Sequence, residues 1–131
     1  MIRKTLSLLI PVLTILMMCE KVVAAEIEGN WSGSGYVAPT KGKRENVRCK
    51  IRYKRHTAKV FAVRAVCASP SAKVIQTGEV LKVKENLYVG DFYSPDYDIS
   101  GRVRVTVSGS RQKVTFSSAR GRGAVTLSKR N

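Results

Sequence analysis

From Glu28 onward, apolar and polar residues alternate with a period of two. In Asn46–Tyr53, Val47, Cys49, Ile51 and Tyr53 fall on one face, and Arg48, Lys50 and Arg52 on the other. Arg102–Val107 repeats the pattern, with Val103, Val105 and Val107 opposite Arg102, Arg104 and Thr106. Such alternation puts one face in a core and the other in water. No segment spaces its apolar residues at three and four positions over the length of a helix.

Turn residues punctuate these runs at near-regular intervals. Pro39 and Gly42 mark the first break, and a polar stretch around His56 marks the second. Ser69-Pro70-Ser71, Lys84-Glu85-Asn86, Pro95, Ser108-Gly109-Ser110 and Arg120–Gly123 supply the rest. Eight strands result, roughly 29–37, 45–53, 59–67, 73–83, 87–93, 99–107, 112–118 and 123–129. The expected fold is all-β: a small eight-stranded antiparallel up-and-down barrel, which leaves no open edge. A β-sandwich is the alternative. Gly78, Gly90 and Gly101 lie inside strands and favour closure, because a tightly curved sheet bends at such positions.

The segment before the strands says where the protein works. Arg3 and Lys4 precede an apolar run from Leu6 to Met18, and Val23-Ala24-Ala25 offers the small residues a signal peptidase reads. Residues 1–25 therefore read as a secretory signal cleaved before Glu26, and residues 26–131 as one domain. The run is too short to span a membrane, which takes roughly 20 apolar residues. Cys19 follows Met18, where a lipoprotein signal needs a small residue, so lipidation is not expected. Periplasmic or secreted localisation follows.

Cleavage there leaves 106 of the 131 residues. The leader takes three of 24 basic and one of nine acidic side chains with it, so the domain keeps a net charge of +13. A field this strong repels other copies, which argues for a monomer, and draws polyanions in a salt-dependent way. Cys49 and Cys67 remain together in an oxidising compartment, where a disulfide is the default reading. A metal pair or a reactive thiol is the rival reading, but no histidine or carboxylate stands at ligand spacing.

Signals for catalysis are sparse. His56 is the only histidine and sits among Lys54 and Arg55 in a polar turn. No Gly-x-Ser-x-Gly context ranks a nucleophile. Asp96 and Asp98 read as turn-capping residues rather than paired acids or a calcium loop. Gly33-x-Gly35 and Gly121-x-Gly123 are too short to cradle phosphate and open no helix. The expectation is a non-enzyme without cofactor or metal. The remaining signal is the cationic outer face: Arg44, Arg48, Lys50 and Arg52 along the second strand, Arg102 and Arg104 along the sixth. Charge on that face also argues against an outer-membrane barrel, whose outside meets lipid.

Gly29-x-Trp31 at the start of the first strand, with Lys129 or Arg130 on the last, resembles the lipocalin and calycin barrels. The resemblance implies that Gly29 and Trp31 close a barrel floor, with Arg130 or Lys129 packing across the indole. A second likeness covers most of the domain. Trp31-Ser32-Gly33-Ser34-Gly35, Glu45-Asn46-Val47-Arg48-Cys49-Lys50, Cys67-Ala68-Ser69 and Gly123-x-Val125-x-Leu127-Ser128-Lys129 resemble small exported proteins of Rhizobiales bacteria. That group has no assigned activity, and the resemblance implies a candidate virulence effector.

Two functions of different class follow as expectations. One is a binding module for an anionic lipid or polysaccharide surface of the envelope, or for a small apolar ligand held in the barrel mouth. The other is a secreted effector or inhibitor that docks on a protein through its loops. Nucleic acid is the less expected partner, because an OB-type reader would carry a helix between its third and fourth strands.

Overall fold

A computed structural model describes residues 10, 11, 15 and 27–131. The rest of the expected leader, the expected cleavage site before Glu26 and Cys19 lie outside the described residues. Eight strands follow in order: β1 Gly29–Pro39, β2 Glu45–Arg55, β3 Val60–Ala68, β4 Lys73–Lys84, β5 Leu87–Ser94, β6 Ile99–Ser108, β7 Arg111–Ser118 and β8 Gly121–Arg130. Each pairs antiparallel with the next, and β8 returns to pair with β1, so the sheet closes. The sandwich alternative is thereby excluded: closure runs along ten residues of β1, from Asn30 opposite Arg130 to Pro39 opposite Gly121.

The hairpins are as short as the turn residues require. Lys84–Leu87, Ser108–Arg111 and Ser118–Gly121 each close over two residues, with Asn86 and Gly109 at positive φ. The last strand starts at Gly121, two residues earlier than the sequence pattern suggests, because Ala119 and Arg120 alone make that turn. A register shift between Lys82 and Lys84 marks a bulge near the end of β4.

Alternation decides what fills the lumen. Val47, Cys49, Ile51 and Tyr53 of β2 are buried, and the residues between them are exposed. Phe61, Val80, Tyr88, Val105, Val125 and Leu127 meet them from other strands. Phe61 and Tyr88 pack edge to face with centroids 5.5 Å apart, a geometry worth about 0.5–1.5 kcal/mol beyond the buried area. Cys49 and Cys67 stand directly opposite across β2 and β3 and are joined by a disulfide. The interior is nearly full: a cavity of about 40 Å³ remains among Val63, Val80, Phe92, Val103 and neighbours, room for about one water.

Candidate functional site

The two ends of the barrel are built differently. At the base, where β1 begins, Trp31 is buried and its Nε1 donates to the Ile27 carbonyl at 2.9 Å. The Lys129 ammonium lies 5.7 Å from the indole centroid. Gly29, at φ 112°, leaves room for the Lys129 stem. Of the two basic candidates, Lys129 thus takes the place across the floor, and Arg130 does not. Register is the reason: Lys129 faces Trp31, while Arg130 faces Asn30 on the outer side and bonds Ser32 Oγ.

Tyr53 and Gln112 brace the same end. The Tyr53 hydroxyl donates to Gln112 Oε1 at 2.6 Å, tying β2 to β7 across the lumen. Burial pushes the Tyr53 phenol well above its ordinary value of 10.0. The folded protein therefore keeps a proton that the unfolded chain releases above pH 10. Stability is level below that value and falls as pH rises past it. Tyr53→Phe removes this linkage, so its melting temperature should decline less steeply than wild type between about pH 9 and about pH 11. Parallel curves would contradict the assignment.

The opposite end is open. A concavity of about 630 Å³ lies between the ends of the odd-numbered strands and the starts of the even-numbered ones. Val37, Val74 and Ile99 form its apolar sides, and Phe92 and Phe116 form its floor. The two rings meet edge to face with centroids 6.1 Å apart. They also line the small inner cavity, so they divide the mouth from the lumen. Each ring covers a glycine directly opposite on the next strand: Phe92 over Gly101 and Phe116 over Gly123. A Cβ at Gly101 would come within 2.7 Å of the Phe92 ring, and one at Gly123 would collide with Phe116. The geometry of this partition therefore depends on both glycines. Lys41, Arg120 and Arg122 stand at the rim, while the rim carboxylate Glu45 is held by the Ser71 hydroxyl at 2.6 Å.

The six cationic candidates do not form one patch. Lys50 and Arg52 share the outer wall of β2 with Arg64 of β3 and Arg130 of β8, around Asn30 and Ser32. Arg102 and Arg104 lie on β6, four strands away in the closed order, beside Lys113 and Arg122. Arg102 is also paired with Asp91 at 3.3 Å. Arg48 borders a separate hollow with Asn46 and Pro70. Arg44 stacks on the Tyr36 ring at 3.6 Å.

Sequence reasoning offered the barrel mouth as a ligand site but missed the residues that floor it, because Phe92 and Phe116 have the pattern of ordinary core residues. It also missed Arg64, which lies among Ala62, Val63, Ala65 and Val66, where alternation is muted. The acidic loop is a turn: Asp98 has φ 50° and accepts a bond from the Tyr93 hydroxyl at 3.3 Å. His56 sits in the β2–β3 turn, its backbone N–H donating to the Val60 carbonyl. Among the described residues, no cluster of His, Cys, Asp or Glu has a metal-holding arrangement, and no helix is long and apolar enough to cross a membrane.

No protein-family model matches the sequence, and no curated protein matches it significantly. Solved structures do match the fold. A redesigned β-barrel, mFAP0, bound to DFHBI, superposes with a TM-score of 0.67 at 11% identity, covering 80% of this chain and 100% of that one. A fluorescence-activating β-barrel designed de novo gives 0.63 at 16% identity, covering 80% and 94%. Rv2717c from M. tuberculosis gives 0.53 at 9% identity, covering 82% and 94%. At these identities the likeness is one of architecture: the chain shares the closed small barrel with them.

Proposed function

We propose that the protein is a non-enzymatic binding barrel, exported from the cytoplasm, that takes a small ligand with an apolar body and an anionic head into its open end. One observation carries this reading: the base is plugged by Trp31, while the other end keeps an apolar concavity of about 630 Å³ under a cationic rim. That volume falls in the range of small-molecule sites, which are apolar with a few placed polar groups. The ligand sits above Phe92 and Phe116, because the lumen below them holds only about 40 Å³. Its head meets Arg120 and Arg122. Redesigned barrels of the same architecture are bound to DFHBI, which supports a barrel of this size as a small-molecule binder. The disulfide fits an oxidising compartment, in keeping with the leader and with the Rhizobiales likeness.

Anilinonaphthalene sulfonate is a suitable probe, since it joins an apolar ring system to an anion. It should bind saturably with enhanced emission, and Ile99→Glu should weaken it about tenfold, equivalent to about 1.4 kcal/mol. Near-ultraviolet circular dichroism of Trp31 should stay unchanged in the variant, showing that the barrel remains folded. Equal binding by both proteins would refute the mouth as the site.

A second reading, a secreted effector or inhibitor, is favoured by the end of β5 and the loop after it, where Tyr93 and Tyr97 stand 44% and 42% exposed. Exposed tyrosines are enriched in protein interfaces. Tyr97→Ala should then abolish capture of a saturable protein partner while leaving the probe in the mouth.

A further inference from the structure

We propose that the outer wall of β8, β1, β2 and β3 carries a site for a phosphate-type oxyanion, built by Lys50, Arg52, Arg64 and Arg130 around Asn30 and Ser32. These residues line one concavity, and all four cations are exposed. Strand register brings them together. Arg52 and Arg64 are direct partners across β2 and β3. Asn30 stands between Arg52 on one side and Arg130 on the other, and Ser32 faces Lys50. The Arg130 Nε donates to Ser32 Oγ, which holds that guanidinium beside the groove.

Among the described residues no ion pair joins any of these four cations, and Glu28, just before β1, is bonded to Arg55 instead. β1, β3 and β8 contain no Asp or Glu. The carboxylate of β2 is Glu45, at the mouth end and bonded to Ser71. Like charges directly opposite on neighbouring strands destabilise a sheet. A neutral residue at either position would be the better choice for stability, yet the chain places arginine at both. An oxyanion between them changes the sign of that interaction. Guanidinium forks suit phosphate oxygens bidentately, and Lys50 adds a point charge. The Asn30 amide adds an N–H donor. Nucleic acid is the weaker fit, since stacking of bases needs an exposed aromatic and the ring that lines this concavity, Trp31, faces the lumen at 1% exposure.

The site is independent of the mouth, and its test uses the folded domain at low salt with pyrophosphate, against chloride at matched ionic strength. Arg64→Gln is compared with Arg104→Gln, the same charge change on the opposite wall. Without anion, Arg64→Gln should melt roughly 2–4 °C higher than wild type, since it relieves the facing pair. Pyrophosphate should stabilise wild type and Arg104→Gln alike, and Arg64→Gln by less than half as much. Phosphatidylcholine vesicles with and without phosphatidic acid then separate the sources. Arg64-dependent binding to the phosphatidic acid vesicles assigns a lipid headgroup, and pyrophosphate binding without vesicle binding assigns a free phosphate compound. Equal losses in the two variants, or stabilisation by chloride equal to that by pyrophosphate, would overturn the proposal. Ile99→Glu should leave the pyrophosphate effect intact, so failure of the mouth reading and failure of this one are distinguishable.

Discussion

Trp31→Ala should lower the unfolding free energy by about 3–5 kcal/mol, the range for truncating a fully buried tryptophan. Trp31 is 1% exposed and closes the base with Ile27 and Leu127, both fully buried. Truncation removes that apolar surface from the lumen and leaves a void at the base of the barrel. It also orphans the Ile27 carbonyl and leaves the Lys129 ammonium without its ring. A domain of this size has about 5–15 kcal/mol in total, so the variant should sit near its unfolding threshold. Trp31→Phe separates the two contributions. It keeps most of the area but loses the N–H donor, and should cost about 1–2 kcal/mol. Because Trp31 is the single tryptophan, urea unfolding of the variants is followed by circular dichroism. A loss under about 1 kcal/mol for the alanine variant would show that the floor is not closed by this ring.

Replacing both Cys49 and Cys67 by alanine should cost about 3 kcal/mol, the entropic value for a loop of 18 residues. For a domain of this length that corresponds to a fall of roughly 12 °C or more in melting temperature. The bridge ties β2 to β3 at directly opposed positions, inside the barrel wall. Its main effect is on the unfolded chain, whose β2–β3 loop it closes before any sheet forms. Reduction should follow the same course: slow at 25 °C, since Cys49 is buried, and fast where the barrel opens. Rapid reduction of the folded protein, with no change in melting temperature, would contradict this role.

Alternation made the strands legible, because β2 and β6 carry unbroken in–out patterns that only a half-buried strand explains. Closure was less so. It depends on β1 meeting β8, nearly a hundred residues apart, at Gly33 and Gly35, where any Cβ would collide with the Thr126 and Ala124 carbonyls. These glycines lie inside the first predicted strand, where the sequence gives no sign that they act as contact points in the barrel. The choice between Lys129 and Arg130 at the floor needed the register, since one position decides which face a side chain takes. The groove needed it too. Lys50 and Arg52 were visible in their strand, but Arg64 and Arg130 join them only through pairing with β3 and β8. The mouth was expected from closure of the barrel, but its floor left no pattern, since a phenylalanine that floors an open end reads like one that fills a core.

The asymmetry of the barrel's two ends is tested most directly by amide-resolved NMR during titration with anilinonaphthalene sulfonate. Shifts should concentrate at the mouth, at Val37–Thr40, Val74, Ile99 and Ser118–Arg122, with the amides around Trp31, Lys59, Asn86 and Arg111 unmoved. Shifts centred on that second set, or spread evenly over both ends, would show that the open end is not where the ligand enters.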